Sequence, residues 1–210
     1  MTDGVSGRFI TLEGGEGVGK STQAKRLAEA LRQQGHDVIE TREPGGSPGA
    51  EAIRKLLLEG EGDRWTAPSE ALLFAAARAD HVARTIRPAI EAGQWVVCDR
   101  FLDSSLAYQG GASGISADDL VELHRIGCDG FLPCRTLLLR LPPAEAAARA
   151  HERDQGRGDR FEARGAEFHA RVEAAFDALA LRYSDRIRTI DAQGAPQDVT
   201  ARLIAAIEDL

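Results

Sequence analysis

The feature that most constrains the fold is a glycine-rich stretch at residues 14–21, which reads Gly-Gly-Glu-Gly-Val-Gly-Lys-Ser. It follows an apolar run at residues 9–12 and opens a helical pattern that extends from about residue 20 to residue 34. In a chain of this composition, a chance match to G-x-x-x-x-G-K-[ST] has a probability of roughly a few in a thousand. A strand that turns through glycines into a helix is therefore the first predicted element.

This junction has the chemistry of a phosphate-binding loop. Glycines let successive backbone N–H groups curve around a phosphate, and the N-terminus of the helix adds positive potential. Lys20 is placed to reach the β- and γ-phosphates of ATP, and the Ser21 hydroxyl is placed to ligate Mg²⁺. The alternative is a glycine-rich turn without a ligand. The residues predicted to bind ATP are Gly14, Gly15, Glu16, Gly17, Val18, Gly19, Lys20, Ser21 and Thr22.

An acidic side chain is also needed to hold the metal ion. Asp99 directly follows the apolar run at residues 95–98, which is typical of a buried parallel strand. An aspartate at the end of a strand beside a phosphate-binding loop suits a Mg²⁺ site, although aspartates at strand ends also serve as caps or turn residues. Ser21 and Asp99 are therefore predicted as metal ligands, with the ends of the first and third strands side by side.

Strand patterns and helix patterns alternate along the chain, which predicts an α/β fold with a parallel sheet covered on both faces. Ser69 is predicted to cap a long helix that ends near Ile86, and Ser116 with Asp119 resembles a capping box. The predicted strands are residues 9–12, 37–41, 95–98, 136–139 and 188–190. Further helices are predicted at residues 144–153, 163–183 and 197–209.

Composition argues against several classes of protein. The formal net charge of −7 does not suit a nucleic-acid-binding surface, which needs a basic stripe. The chain contains no asparagine, so the N-K-x-D motif with which GTPases recognise guanine cannot be present. No apolar run approaches the roughly 20 residues that span a bilayer, and residues 1–8 lack a signal-peptide pattern. We expect a cytoplasmic protein without nucleic-acid or membrane partners.

A cluster of arginines favours a small-molecule kinase over an ATP-driven machine. Residues 149–160 begin as a helical pattern, become rich in glycine, and carry Arg149, Arg153, Arg157 and Arg160. A solvated charged loop is the ordinary explanation of such a run. Phosphoryl transfer, however, needs cations around the γ-phosphate and needs water kept away from it. We therefore predict an arginine-bearing lid at about residues 150–162.

Five segments resemble the bacterial thymidylate kinases, and the likeness extends from about residue 8 to the C-terminus. They are Glu-Gly-Gly-Glu-Gly-Val-Gly-Lys-Ser-Thr (13–22), Thr-Arg-Glu-Pro-Gly-Gly (41–46), Leu-Phe-Ala-Ala-Ala-Arg (73–78), Cys-Asp-Arg-Phe (98–101) and Asp-Ser-Ser-Leu-Ala-Tyr-Gln-Gly (103–110). The resemblance implies a P-loop kinase that transfers phosphate from ATP to dTMP. We expect residues 1–210 to form one domain, and the resemblance implies a five-stranded parallel sheet in the order 2-3-1-4-5, a lid and a homodimer.

The resemblance also implies roles for side chains in an acceptor-binding region at about residues 42–115. Phe74 would stack on thymine, Arg78 would hydrogen-bond a base carbonyl, and Tyr108 would lie against the sugar. Lys20 and Arg100 would be catalytic, with Arg100 bridging acceptor and donor. The lid would supply one further catalytic arginine, Arg153 or Arg157. The residues implied to bind dTMP are Glu16, Arg42, Arg54, Phe74, Arg78, Arg100, Ser105, Tyr108 and Gln109. A cis Glu43–Pro44 bond is expected on the same ground.

Ordinary structural roles compete with several of these assignments. Phe74 and Tyr108 are also typical of an apolar core, and Arg54 and Arg78 are also typical of a solvated helix surface. Phe101 departs from the family, in which Tyr or His is commoner after Asp-Arg. Two other activities stay open at this point: a kinase for another pyrimidine nucleoside monophosphate, and a P-loop ATPase that is not a kinase.

Overall fold

The computed structural model describes residues 7–60, 64–154, 161 and 164–210, with the backbone alone for residues 153 and 154. Its centre is a parallel sheet with the strand order β2-β3-β1-β4-β5, which confirms the predicted order. The strands are β1 (Phe9–Glu13), β2 (Val38–Arg42), β3 (Trp95–Asp99), β4 (Arg135–Arg140) and β5 (Ile187–Asp191).

The central strand, β1, lies between β3 and β4, and all five of its residues are buried. Short apolar runs form such strands because helices cover both faces of a parallel sheet. The register pairs Leu12 with Asp99, so the loop after β1 and the end of β3 leave the sheet side by side. Ligands of open α/β sheets bind at this carboxyl edge, and the predicted juxtaposition is confirmed.

Helices cover the sheet on both faces, as the alternating pattern predicts. Two π-helical segments, Val82–Ile86 and Leu106–Ala112, continue the third and fifth α-helices. The α-helices of the described residues are α1 (Lys20–Gln33), α2 (Pro48–Leu58), α3 (Ala67–His81), α4 (Arg87–Glu91), α5 (Leu102–Ser105), α6 (Ala117–Cys128), α7 (Pro143–Asp154), α8 (Ala166–Arg182) and α9 (Pro196–Ala205).

The start of α3 corrects one prediction. Thr66, not Ser69, is the N-cap, because the side chain of Thr66 accepts a hydrogen bond from the backbone N–H of Ser69. Pro68 fits this start, since a proline in the first helical turn lacks a donor that would have no intrahelical partner anyway. At α6 the predicted cap is confirmed: the Ser116 side chain accepts from the backbone N–H of Asp119.

The sequence patterns do not predict α2, which carries one of the predicted acceptor-binding residues, Arg54. Its first residues, Pro48 and Gly49, resemble the loop before it. The Ser47 side chain caps the helix by accepting from the backbone N–H of Ala50, and proline is favourable at the first position. The cap therefore starts a helix where composition alone indicates a turn.

Apolar clusters lie on both faces of the sheet. On one face, α1 and α9 bury Leu27 and Leu203 against Leu12 of β1. On the other face, Ile86 and Phe101 join the buried cluster around β3. Burial of each such side chain stabilises the fold by roughly 1.5–3 kcal/mol. Among the described residues, no helix is long and apolar enough to cross a membrane.

Candidate active site

The loop between β1 and α1 is shaped to receive an anion. Gly17 and Gly19 have φ values of 75° and 92°, which favour glycine. A Cβ at Gly17 would lie 2.0 Å from the carbonyl oxygen of Ala146 in α7, so a side chain there would clash. Gly19 precedes α1 without a side-chain cap, and the first turn of α1 has no acidic residue. Its N–H groups are therefore available to a phosphate.

Lys20 lies inside this loop. Its Nζ atom donates a hydrogen bond to the carbonyl oxygen of Gly15 at 2.5 Å, and the side chain is buried. Burial, followed by the positive charge of Arg100, lowers the pKa of Lys20, whereas the carboxylates of Glu16 and Asp99 oppose this shift. A cation is thus held next to the N–H groups that face the phosphate position.

Ser21 and Asp99 meet directly at the predicted metal position. The Ser21 hydroxyl donates to Oδ2 of Asp99 at 2.5 Å, which confirms the predicted proximity. Oδ1 of Asp99 is buried and has no hydrogen-bond partner among the described residues. A buried carboxylate oxygen without a partner is costly, and oxygen ligands are those that Mg²⁺ prefers. The pair therefore fits a divalent cation.

The remaining ligands of such an ion need not come from the protein. In the part of the chain that the structure describes, no group of three or more His, Cys, Asp or Glu side chains could hold a metal. Mg²⁺ is commonly bound through one or two protein ligands together with waters and substrate phosphates. A hydroxyl and one carboxylate beside a phosphate-binding loop therefore meet its requirements.

Arg100, directly after β3, has a φ of 71°, which is uncommon for a residue other than glycine. Its backbone N–H donates to the carbonyl oxygen of Leu12 at 3.0 Å. Glu13 stabilises the turn that follows: its Oε1 atom accepts from the N–H groups of Phe101 at 2.8 Å and Ser104 at 3.2 Å. Burial, and then the charge of Asp103, raises the pKa of Glu13 to about 7.

The Arg100 guanidinium joins the phosphate-binding loop to the acceptor region. Nη2 donates to Oε1 of Glu16 at 2.5 Å and to the Tyr108 hydroxyl at 3.2 Å, and the Tyr108 hydroxyl donates to the same Glu16 oxygen at 2.9 Å. Burial alone would lower the pKa of Arg100, but the negative charge of Glu16 raises it above its ordinary value. The guanidinium therefore stays charged. For Tyr108, in contrast, burial raises the pKa.

Across the cavity, the predicted base-binding side chains come from two helices. Phe74, on α3, makes an edge contact with Phe161 at 5.6 Å between ring centroids. Arg78, also on α3, donates from Nη2 to the Ser105 hydroxyl at 2.9 Å. Ser105 ends α5, and Gln109 follows in the π-helical segment, so the structure brings all four predicted side chains to the same cavity.

Arg78 is held by a chain of buried polar groups. Its Nε atom donates to Oε2 of Glu43 at 2.8 Å, and Oε1 of Glu43 lies 3.0 Å from Nδ1 of His81. Nε2 of His81 is in turn 2.8 Å from the Thr41 hydroxyl. Arg78 is therefore an ordered, buried side chain rather than a solvated one. The Glu43–Pro44 bond is cis, as expected.

Arg42, at the end of β2, and Arg54, on α2, are two further predicted acceptor-binding residues. Arg42 is half exposed and donates to Glu51 at 3.2 Å, which makes it the more solvated of the two. Arg54 donates from Nη1 to the carbonyl oxygen of Pro44 at 2.6 Å. Both line the cavity, so neither is only a residue of the outer surface.

A cavity of about 620 Å³ connects the two sides of the site. Its lining includes the predicted residues Glu16, Gly17, Val18, Gly19, Lys20, Ser21, Thr22, Arg42, Arg54, Phe74, Arg78, Asp99, Arg100, Ser105, Tyr108 and Gln109. Gly14 and Gly15 are predicted ATP contacts that do not line it: a Cβ at Gly14 would meet the carbonyl oxygen of Leu139, and one at Gly15 would meet the carboxylate of Glu173. Arg157 and the side chain of Arg153 lie outside the described residues, as does most of the predicted lid.

Several residues of the site escape sequence reasoning. Arg149 lines the cavity although only its neighbours in the arginine cluster were predicted as catalytic. The loop after β5 and the start of α9 contribute Ala192, Gly194, Pro196 and Val199 to the lining. No motif marks these positions. The chain order of the strands, which brings the ends of β1, β4 and β5 to one edge, is the signal that could have pointed to them.

A phosphate-binding loop, a hydroxyl–carboxylate pair and an aromatic–arginine pocket in one cavity, on this strand order, define a P-loop phosphotransferase with a small-molecule acceptor. The particular family follows from comparison with known proteins. The family model for thymidylate kinase matches residues 12–203. The chain belongs to the thymidylate kinase family.

Individual relatives agree with this assignment. The chain is 68% identical over 204 residues to a thymidylate kinase of Rhizorhabdus wittichii, covering 97% of this chain and 98% of that protein. It is 49% identical over 197 residues to a thymidylate kinase of Caulobacter vibrioides, covering 94% of each. The crystal structure of thymidylate kinase from Ehrlichia chaffeensis matches with a TM-score of 0.77 at 30% identity, covering 97% of this chain and 99% of that one.

Proposed function

We propose that this protein transfers the γ-phosphoryl group of Mg·ATP to dTMP, giving ADP and dTDP. The observation that carries the proposal is the shared cavity: the phosphate-binding loop with Lys20 opens into the same space as the Phe74–Arg78 wall. Family membership and the thymidylate kinase relatives point to the same reaction. A donor nucleotide on the loop would present its γ-phosphate towards an acceptor held by that wall.

In this reaction, an oxygen of the dTMP phosphate forms a bond to the γ-phosphorus, and the bond from that phosphorus to the β,γ-bridging oxygen breaks. The acceptor is already an anion, so no general base is required. Positioning and electrostatic stabilisation supply the acceleration. Lys20 and Arg100 stabilise the negative charge of the transferring group. Ser21 and Asp99 would hold Mg²⁺, which supplies neutralisation of phosphate charge.

On the acceptor side, we assign Phe74 to stacking on the thymine ring and Arg78 to a hydrogen bond with a base carbonyl. Support for the second assignment comes from Nη1 of Arg78, which has no hydrogen-bond partner among the described residues and belongs to a cavity-lining side chain. Ser105 and Gln109 contact the base, and Tyr108 borders the sugar. Arg42, Arg54 and Arg100 hold the acceptor phosphate, and Glu16 faces the 3′-hydroxyl.

The lid arginine belongs to the same proposal. We assign the lid to residues 150–162 and its catalytic cation to Arg153 or Arg157. No arginine interrupts the phosphate-binding loop, so an arginine that acts on the donor phosphates beside Lys20 would come from another segment. Arg149, which lines the cavity from α7 just before this segment, shows that α7 approaches the site.

We further propose a homodimer formed through α3 and α6. Leu72 on α3 is 56% exposed, and Val121 and Ile126 on α6 are 43% and 69% exposed. The two helices pack closely, since a Cβ at Gly127 of α6 would lie 3.1 Å from the Cβ of Ala79 on α3. We assign these exposed apolar side chains of the packed helix pair to the contact with a second copy, which would cover them. Sedimentation should show a dimer for the wild-type chain and a monomer for Ile126→Glu. If the wild-type chain is also a monomer, the proposed homodimer is wrong.

We propose that the enzyme works in the cytoplasm. Cys98, Cys128 and Cys134 are all unpaired, and two of them are buried. Unpaired thiols suit a reducing compartment. No nucleic-acid or membrane partner is proposed.

The kinase is separated from its two alternatives by measuring ADP release. A thymidylate kinase releases ADP rapidly only when dTMP is present, whereas a P-loop ATPase of another kind releases it at the same rate without dTMP. Repeating the measurement with dUMP, UMP and CMP distinguishes a broader pyrimidine kinase. An equal or greater kcat/KM for UMP than for dTMP would overturn the proposed acceptor.

A further inference from the structure

The buried carboxylate of Glu70 contacts both Arg164 and the side-chain amide of Gln109. Glu70, on α3, is only 1% exposed. Its Oε1 atom accepts a hydrogen bond from Nε2 of Gln109 at 3.0 Å, and its Oε2 atom accepts one from Nη2 of Arg164 at 2.9 Å. The guanidinium of Arg164 is itself fixed over the rings of Phe161 and Phe168, 4.8 Å and 4.5 Å from their centroids.

This contact allows only one orientation of the Gln109 amide. An ionised carboxylate only accepts hydrogen bonds, so the NH₂ group of Gln109 has to face Glu70. The carbonyl oxygen, Oε1, then lies at the other end of the amide and has no hydrogen-bond partner among the described residues. Because Gln109 lines the cavity, the group that it offers to a ligand is an acceptor.

An acceptor at this position distinguishes between pyrimidine bases. Thymine and uracil carry a hydrogen at N3, which is a donor, next to the O4 acceptor. Cytosine has an unprotonated N3, which is an acceptor, next to a donating amino group. Arg78 has only donors and therefore matches O4. When a buried acceptor faces another acceptor, or a donor faces another donor, the hydrogen bond is lost and binding weakens about 10- to 100-fold.

We propose that Glu70 is a positioning residue that sets base specificity: it turns the Gln109 carbonyl oxygen towards the base, so that thymine and uracil are accepted and cytosine is rejected. The proposal rests on the base site proposed above. Glu70 is separated from the ligand by Gln109 and acts only through it.

Arg164 makes the proposal testable with a nearly isosteric substitution. In Glu70→Gln, residue 70 has one acceptor and one donor group. Arg164 can only donate, so the new amide oxygen turns to Arg164 and the new NH₂ group turns to Gln109. Gln109 must then reverse, and its own NH₂ group faces the base. When Arg164 is also replaced by leucine, this constraint is removed and the original orientation becomes available again.

The experiment compares dTMP with 5-methyl-dCMP, which retains the methyl group and sugar and differs only at N3 and C4. The variants are Glu70→Gln, Arg164→Leu, the double variant and Gln109→Leu, each checked by its Tm. The ratio of kcat/KM for dTMP to that for 5-methyl-dCMP should fall about 10- to 100-fold in Glu70→Gln. The change should lie in KM, because the partners of Glu70 given above, Gln109 and Arg164, are not among the residues assigned to the phosphates. Arg164→Leu should keep the wild-type ratio, and the double variant should regain most of it.

The outcomes separate the inference from the function on which it rests. If Gln109→Leu leaves the KM for dTMP unchanged, the base site itself is wrongly assigned. If Gln109→Leu raises this KM but Glu70→Gln leaves the ratio unchanged, only the role of Glu70 is overturned. A lowered ratio in Arg164→Leu, or a double variant no better than Glu70→Gln, also contradicts it. If Glu70→Gln does not fold, the kcat/KM ratio of Arg164→Leu still tests the role of Glu70.

Discussion

The buried carboxyl group of Glu13 leads to a prediction about stability and pH. Glu13 ends β1, is fully buried, and supports the turn that carries Arg100. Burial and the negative charge of Asp103 raise its pKa from 4.5 to about 7. Hydrogen bonds from Ser104 and the charge of Arg100 oppose that shift without cancelling it. Between these two values, the folded chain keeps a proton on Glu13 that the unfolded chain releases.

The sign and size of the effect follow from this difference. Below about pH 4.5 the carboxyl group is protonated in both states, so it favours neither. As the pH rises through the folded pKa, the folded state must give up its proton, and stability is lost. The shift from 4.5 to about 7 corresponds to a loss of about 3 kcal/mol, at 1.36 kcal/mol per unit.

The substitution Glu13→Gln removes the titrating carboxyl group. The Oε1 atom of the new glutamine can still accept hydrogen bonds from the N–H groups of Phe101 and Ser104. Urea unfolding measures the free energy of unfolding of both proteins. The value for wild type minus the value for the variant should fall by about 3 kcal/mol from about pH 4.5 to pH 8. In a chain of this length that corresponds to a relative shift in Tm of about 6–12 °C.

A matched control is the exposed residue Glu122. Its carboxylate oxygens accept hydrogen bonds from Nε of Arg125 at 2.7 Å and from Nη2 at 2.6 Å. These hydrogen bonds lower its pKa, so it stays ionised in both states above about pH 5. The difference in free energy of unfolding between wild type and Glu122→Gln should therefore not change with pH above about pH 5. If the Glu13→Gln difference is equally flat, the carboxyl group of Glu13 does not titrate near neutrality and the reasoning from burial is wrong.

Three further predictions concern the site. Asp99→Ala removes the carboxylate next to Ser21 and should raise the Mg²⁺ concentration for half-maximal kcat by about 10- to 100-fold; an unchanged Mg²⁺ titration contradicts the metal assignment. Tyr108→Ala should lower the preference for dTMP over its ribose form by about tenfold or more, whereas Tyr108→Phe, which keeps the ring, should retain it; kcat/KM for both nucleotides decides, and an unchanged preference in Tyr108→Ala means that Tyr108 is only core. The double variant Arg153→Ala/Arg157→Ala should lower kcat at saturating substrates by about 100-fold; a normal kcat rejects the lid-arginine mechanism.

Local spacing is sufficient to predict the donor side of the site. Gly19, Lys20 and Ser21 are adjacent in sequence, so the strand–helix junction alone determines their arrangement. Asp99 is 78 residues away from Ser21, yet its contact is also predictable, because parallel strands present their carboxyl ends at one edge. Resemblance adds the strand order and the aromatic and arginine side chains of the acceptor wall, but it does not show what holds them.

Contacts that depend on helix register and rotation escape prediction. Glu70 and Gln109 are 39 positions apart, and Glu70 and Arg164 are 94 apart. Glu70 is one of several charged residues on helices, and nothing in its spacing separates a buried carboxylate from a solvated one. Its burial results from the packing of α3 against its neighbours, and the same is true of His81. The cap at Thr66 and the start of α2 likewise depend on individual side-chain hydrogen bonds.

The contacts of Arg100 join the proposed donor and acceptor sides of the site. Glu16 belongs to the phosphate-binding loop, Arg100 to the end of β3, and Tyr108 to the π-helical segment after α5. Their polar ends form a closed triangle with edges of 2.5 Å, 3.2 Å and 2.9 Å. In a closed set each contact restrains the other two, so the guanidinium is fixed by groups from both sides before a substrate binds. Charge that is already in position needs no reorganisation during phosphoryl transfer, and a substitution at any corner therefore disturbs both sides of the cavity.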